Sequence, residues 1–171
     1  LLTTPQTLLN ELVAIPSLNP EDTEDLSLVG EGRVAAFLKS WFEARGFSVE
    51  LTMPEPDRPN LIARFGPADG RVLLIEGHMD TVGVGGMVVP PFTLTEKEGR
   101  LYGRGACDTK GPIAAALAAL DGETLAFAAQ KGVQVVYAGA YGEEKSCKGA
   151  DAFAASGLTA DVALVLEPTG S

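Results

Sequence analysis

Four consecutive apolar residues, Val72-Leu73-Leu74-Ile75, run into Gly77-His78-Met79-Asp80-Thr81-Val82. The run reads as a buried strand, and the polar stretch as its C-terminal tip. A strand buried on both faces needs a layer on each side. The rest of the chain therefore has to supply helices between strands, and its periodicities do so.

Thr4-Pro5 offers a hydroxyl cap followed by proline at the first helical position. Leu8, Leu9, Leu12 and Val13 then share one face, and Pro16 closes the helix. Residues 17–30 read as loop. A second helix spans about 31–45, with Val34, Phe37, Leu38, Trp41 and Phe42 as its buried stripe and Gly46 as its stop. That spacing makes Trp41 a core residue.

Residues 47–51 alternate as a half-buried strand should, and Met53 to Pro59 reads as a proline-rich link. Strands follow at 61–65 and 72–76, joined across Gly66 to Gly70 in a connection short enough for an antiparallel pair. An alanine- and leucine-rich helix is expected over 113–130, locally weakened by Gly122. A strand at 133–138, a short helix at 149–156 and a strand at 162–166 complete the pattern. The fold class is α/β: three layers, α/β/α, around a mixed, mostly parallel sheet.

At 171 residues the chain is about one domain. Its 13 basic against 23 acidic residues give a net charge of −10, with no basic cluster, which argues against nucleic acid or an anionic membrane as partners. No apolar run approaches a membrane span, and no basic-then-apolar signal segment opens the chain. Cys107 and Cys147 lack the short spacing of a paired motif, so a reduced, cytoplasmic setting is the simpler expectation, with a disulfide as the alternative.

His78 is the only histidine. Around it in the pattern stand Asp80, Asp108 after a glycine-rich turn, Glu143-Glu144 after the 133–138 strand, and Glu167 after the last strand. Each alone has an ordinary explanation: a structural histidine, a helix cap, a solvated pair of glutamates. Their joint placement at the ends of successive strands, where open α/β sheets carry ligands, makes a zinc-type hydrolytic donor set. The glycine-rich turn 103–112 fits neither nucleotide fingerprint, having no G-x-x-x-x-G-K-[ST] and no G-x-G-x-x-G.

Gly77-His78-Met79-Asp80-Thr81-Val82, Pro91-Phe92, Gly99 to Gly111, Gly142-Glu143-Glu144 and Glu167-Pro168-Thr169 together resemble the dinuclear zinc aminoacylase and carboxypeptidase family. That family includes acetylornithine deacetylase and succinyl-diaminopimelate desuccinylase, which the chain resembles most. The resemblance covers nearly the whole chain in order. It implies that His78, Asp108 and Glu167 hold one zinc, with Asp108 bridging to a second that Glu144 also binds; cobalt or manganese are alternatives. It implies that Asp80 orients His78, and that Glu143 is the general base. The implied reaction is removal of an acyl group from a small N-acyl amino acid. A dipeptidase or carboxypeptidase of the same family, or a non-catalytic metal-binding module, are the alternatives. The resemblance further implies a cis peptide between Asp108 and Thr109.

Members of that family carry a further metal-binding histidine after an inserted lid or dimerisation domain, and no second histidine occurs here. Residues 1–171 are accordingly expected to be the N-terminal part of the catalytic domain, inactive alone, from a parent that dimerises through the lid. Cys107 or Cys147 is a candidate substitute donor.

Overall fold

Alternation along the strands decides which side chains meet which layer. The computed structural model describes residues 4–169. In chain order the elements are α1 (Pro5–Val13), α2 (Glu31–Glu43), β1 (Ser48–Glu55), β2 (Arg58–Phe65), β3 (Arg71–His78), β4 (Thr95–Lys97), β5 (Arg100–Tyr102), α3 (Lys110–Ala119), α4 (Gly122–Gln130), β6 (Val133–Ala140), α5 (Glu143–Ser146), α6 (Lys148–Ala155) and β7 (Val162–Val165).

The main sheet has the order β1-β2-β6-β3-β7. β3 pairs parallel with β6 and with β7, while β2 is antiparallel to both β1 and β6. Every main-sheet strand except β2 therefore points the same way, and the sheet is mixed but mostly parallel. β4 and β5 form a separate two-stranded ribbon.

On one face Leu61, Ala63, Ile75, Val135 and Tyr137 pack against α1, α2, α3 and α4. On the other, Ile62, Val136, Ala138 and Ala140 pack against Phe153 of α6. Three layers result, unequal in depth. Phe42 anchors the thicker one: it is fully buried, with the Trp41, Phe47 and Tyr137 rings 4.8–5.1 Å away. Trp41 is a core residue as its spacing predicts, with the Arg45 guanidinium 3.7 Å from its ring centre.

Three expectations are corrected. Residues 53–59 are not a link: β1 runs to Glu55 and turns at Pro56-Asp57 straight into β2. The prolines fit because β1 is the sheet's edge, Pro54 falls where the β1–β2 register shifts, and β2 begins pairing with β6 only at Leu61, beyond Pro59. β2 and β3 do not pair, because β6 lies between them. Their connection straddles the start of β6 so closely that a Cβ on Gly66 would lie 2.6 Å from the Val133 carbonyl oxygen, and one on Gly70 2.7 Å from that of Gly132. The helix expected over 113–130 is two helices, α3 and α4, bent by 69°. Asp121 breaks it by capping α4, its side chain accepting from the Thr124 N–H at 2.7 Å. Among the described residues no single helix is long and apolar enough to cross a membrane.

Candidate metal centre

Parallel strands deliver their C-terminal ends to one edge of the sheet, and every residue singled out for chemistry arrives there. His78 is the last residue of β3, Glu143 and Glu144 begin α5 just beyond β6, and Glu167 follows β7. Asp108 precedes α3 in a loop packed tightly on the start of that helix: a Cβ on Gly111, the second residue of α3, would lie 2.2 Å from the Ala106 carbonyl oxygen. The Asp108–Thr109 peptide is cis. Thr109 does not cap α3 with its side chain; its hydroxyl donates to the Leu166 carbonyl oxygen, which ties Asp108's loop to the tip that bears Glu167.

The imidazole of His78 is buried, and its two nitrogens do different things. Nδ1 lies 3.0 Å from the Asp80 carbonyl oxygen and 3.5 Å from Asp80 Oδ1. An acceptor there holds the proton on Nδ1 and leaves Nε2 for the site. Nε2 is 2.9 Å from Asp108 Oδ1, 3.8 Å from Glu167 Oε1 and 3.9 Å from Glu143 Oε2. Glu144 completes a compact group: donor atoms of His78, Asp108 and Glu144 all lie within 4.8 Å of one another. The compact triplet thus joins His78 to Glu144 as well as to Asp108, with Glu167 3.8 Å from the same nitrogen.

Charge explains what such a cluster is suited to hold. Burial would by itself lower the pKa of His78, but hydrogen bonds to Asp80 and Asp108 and attraction from Asp80 and Glu167 outweigh it and raise the value to about 10. Burial pushes the Glu144 and Glu167 carboxyls up, as does repulsion from Asp108. Asp80, although buried, is held below the ordinary range by His78 and Asn19. One imidazole facing Asp80, Asp108, Glu143, Glu144 and Glu167 leaves an excess of negative charge that a divalent cation would offset. Imidazole and carboxylate are the donors zinc accepts, so the residues fit the ion.

The imidazole provides a direct check. In metal-free protein the His78 ring is expected to stay protonated through neutral pH and to titrate near pH 10, read by NMR as the only histidine signal. Its folded pKa exceeds the unfolded value of 6.5, so its contribution to stability is complete below pH 6.5 and lost as pH rises towards 10. Titration of the folded chain near 6.5 would contradict the network.

The Asp80 carboxylate has further partners. Its Oδ1 accepts from the Glu143 N–H at 3.0 Å, and its Oδ2 accepts from the Glu144 N–H at 3.2 Å and from Asn19 Nδ2 at 2.7 Å. Asn19 is fully buried, and its segment is strapped to the site by the Asn19 N–H donating to the Thr81 carbonyl at 2.8 Å. In the sequence Asn19 reads only as loop; its one local signal is that a capping residue precedes Pro20. Lys110 is a second unanticipated element. Its buried ammonium donates to the Ile15 carbonyl at 2.6 Å, joining the start of α3 to the end of α1, and burial with repulsion from Arg33 lowers its pKa to about 7. The cysteines are exposed and unpaired. Cys147 Sγ lies 3.7 Å from Glu143 Oε1, and neither thiol belongs to the compact donor group among the described residues.

Known proteins resemble this chain in sequence and in fold. The profile of peptidase family M20/M25/M40 matches residues 74–171. Acetylornithine deacetylase of Proteus mirabilis is 38% identical over 170 residues, covering 95% of this chain and 42% of that protein. A probable succinyl-diaminopimelate desuccinylase of Staphylococcus aureus is 36% identical over 143 residues, covering 81% of this chain and 35% of the other. Among solved structures, an M20 family metallo-carboxypeptidase from Sulfolobus solfataricus superposes with a TM-score of 0.71 at 24% identity, over 95% of this chain and 37% of that one. The chain therefore spans less than half the length of the relatives it matches.

Proposed function

The chain belongs to peptidase family M20/M25/M40, and from that premise we propose that it contributes the metal-binding half-site of an amide hydrolase acting on a small N-acyl amino acid. The observation that carries the reading is the convergence of His78, Asp108 and Glu144 on one point, with Glu143 and Glu167 flanking the same imidazole nitrogen. Identity of 38% to an acetylornithine deacetylase supports an acylated amino acid as substrate over a longer peptide.

In this reading His78 Nε2, Asp108, Glu144 and Glu167 would hold a pair of zinc ions, with Asp108 shared. Bound zinc supplies Lewis-acid polarisation of the scissile carbonyl and makes water acidic enough to ionise near neutral pH. The chain's own part is positional and protic. Asp80 holds the Nδ1 proton of His78 and keeps Nε2 unprotonated for the ion. Glu143 accepts the proton of the attacking water and delivers it to the amine nitrogen as the C–N bond breaks, so the carboxylate is regenerated each cycle. We place residues 1–171 as the N-terminal part of the catalytic domain, with substrate grip and dimerisation supplied by a lid domain. The free, exposed cysteines fit a reducing, cytoplasmic location.

The test is hydrolysis by a form extended to the length of its relatives, assayed with and without added zinc on N-acetyl and N-succinyl amino acids and on dipeptides. Zinc-dependent release of free amine from the N-acyl substrates is expected. Cleavage of dipeptides alone would replace the substrate assignment, and cleavage of nothing in the presence of bound zinc would overturn the catalytic reading.

A further inference from the structure

Glu143 and Glu144 are adjacent in sequence yet are read as doing different jobs, so the backbone that launches them has to be fixed. α5 is only four residues long, too short to hold itself together by its own hydrogen bonds. It is entered through Gly142 at φ 69°, ψ 26° and left through Cys147 at φ 52°, ψ 16°, both left-handed. Three successive N–H groups at its start have no partner within the helix.

Buried carboxylates take all three. Asp80 accepts from Glu143 and Glu144, and Glu31 Oε1 accepts from the Gly142 N–H at 2.8 Å. Glu31 belongs to α2, far away in sequence, and is only 1% exposed. Arg58 of β2 grips it with both arms, Nε to Oε2 at 2.6 Å and Nη2 to Oε1 at 3.1 Å, while its guanidinium lies 4.9 Å from the centre of the Tyr141 ring. The arginine also faces the charge of Asp80. Nearby, Asn60 accepts from the Tyr141 N–H and donates to the Gly149 carbonyl, bracing both flanks of the turn.

We propose that the buried Glu31–Arg58 pair is a positioning device for the metal centre, setting the directions of Glu143 and Glu144 through the Gly142 N–H. The proposal rests on the reading of those glutamates as base and ligand. Stability alone is a weak reason for such a pair: the desolvation cost of a buried ion pair is large, and apolar groups of similar size in its place are often neutral or stabilising. Arg58 packs closely against the turn: a Cβ on Gly142 would lie 2.9 Å from its Nη2.

That contrast supplies the experiment. The double variant Glu31→Leu with Arg58→Met replaces the pair by apolar side chains, an exchange that is often neutral for stability, while Glu31→Gln keeps an oxygen for Gly142. Zinc affinity is measured by indicator competition, and amide exchange by NMR on metal-free protein. The double variant is expected to bind zinc about 10–100-fold more weakly, the range typical of residues that orient a ligand, with faster exchange confined to Gly142, Glu143 and Glu144. Glu31→Gln should recover most of the affinity. A folded double variant with parental affinity and parental exchange would overturn the proposal, as would Glu31→Gln behaving like the double variant. If residues 1–171 alone bound no zinc, the affinities are read in the form extended to the length of its relatives; no zinc there would overturn the metal reading, while the exchange data would still decide whether the pair fixes the turn.

Discussion

Asp108→Ala is expected to give a folded chain that has lost its zinc. The side chain is 45% exposed and sits in a loop whose course is set by neighbouring groups, the Thr109 hydroxyl on Leu166 and the Lys110 N–H on the Gly105 carbonyl, so its removal leaves the packing intact. What it removes is the one carboxylate read as shared between two ions, which also lies 2.9 Å from His78 Nε2. A carboxylate can serve two cations because each oxygen can take one, and neither His78 nor Glu144 can replace it alone. Without it the first ion would keep only His78 and Glu167 and the second only Glu144, each short of the three protein ligands usual at a catalytic zinc. The measurement is zinc content of parent and variant after equilibration with free zinc and gel filtration, with circular dichroism to confirm the fold. A variant that retains as much zinc as the parent would refute the bridging assignment.

What the sequence shows of this centre, and what it hides, follows from how each residue is marked. His78, Glu143, Glu144 and Glu167 are legible because strand tips punctuate the sequence, an apolar run giving way to polar residues within a few positions, and Asp108 because it stands at the end of a glycine-rich turn just before a helix. The same punctuation makes the α/β layering legible. Glu31 carries no such mark. At the head of an amphipathic helix it looks like any acidic residue favoured near a helix N-terminus, and its burial depends on Arg58 approaching from β2. Arg58 was hidden in turn by the prolines around it, which read as a link until β1 is known to be an edge strand. The β2–β3 pairing fails for a related reason. A short connection favours a hairpin locally, but here the long-range insertion of β6, parallel to β3 over its whole length, outweighs that local preference. Asn19 is hidden because a buried side-chain amide is recognisable only by its partner, and Asp80 lies 61 residues away.

Glu143→Gln tests the remaining assignment, since it separates holding the metal from moving the proton. The substitution preserves size and the N–H that donates to Asp80, and Glu143 is not part of the compact donor group of His78, Asp108 and Glu144. Zinc content and stability should therefore match the parent. The carboxylate is 36% exposed, with Oε2 turned towards His78 Nε2 at 3.9 Å, so it faces the metal centre while remaining accessible to solvent. An amide oxygen in the same place still accepts hydrogen bonds but is too weakly basic to take the proton of the attacking water. Losing a positioned general base typically lowers turnover by about 10²–10⁴-fold. In the form extended to the length of its relatives, kcat on an N-acyl amino acid is expected to fall by that factor with little change in KM, because the group acts on the water and makes no contact that holds the substrate. Parental turnover in a zinc-loaded Glu143→Gln protein would show that the proton goes elsewhere, and Glu167, 3.8 Å from the same nitrogen, would be the next residue to change.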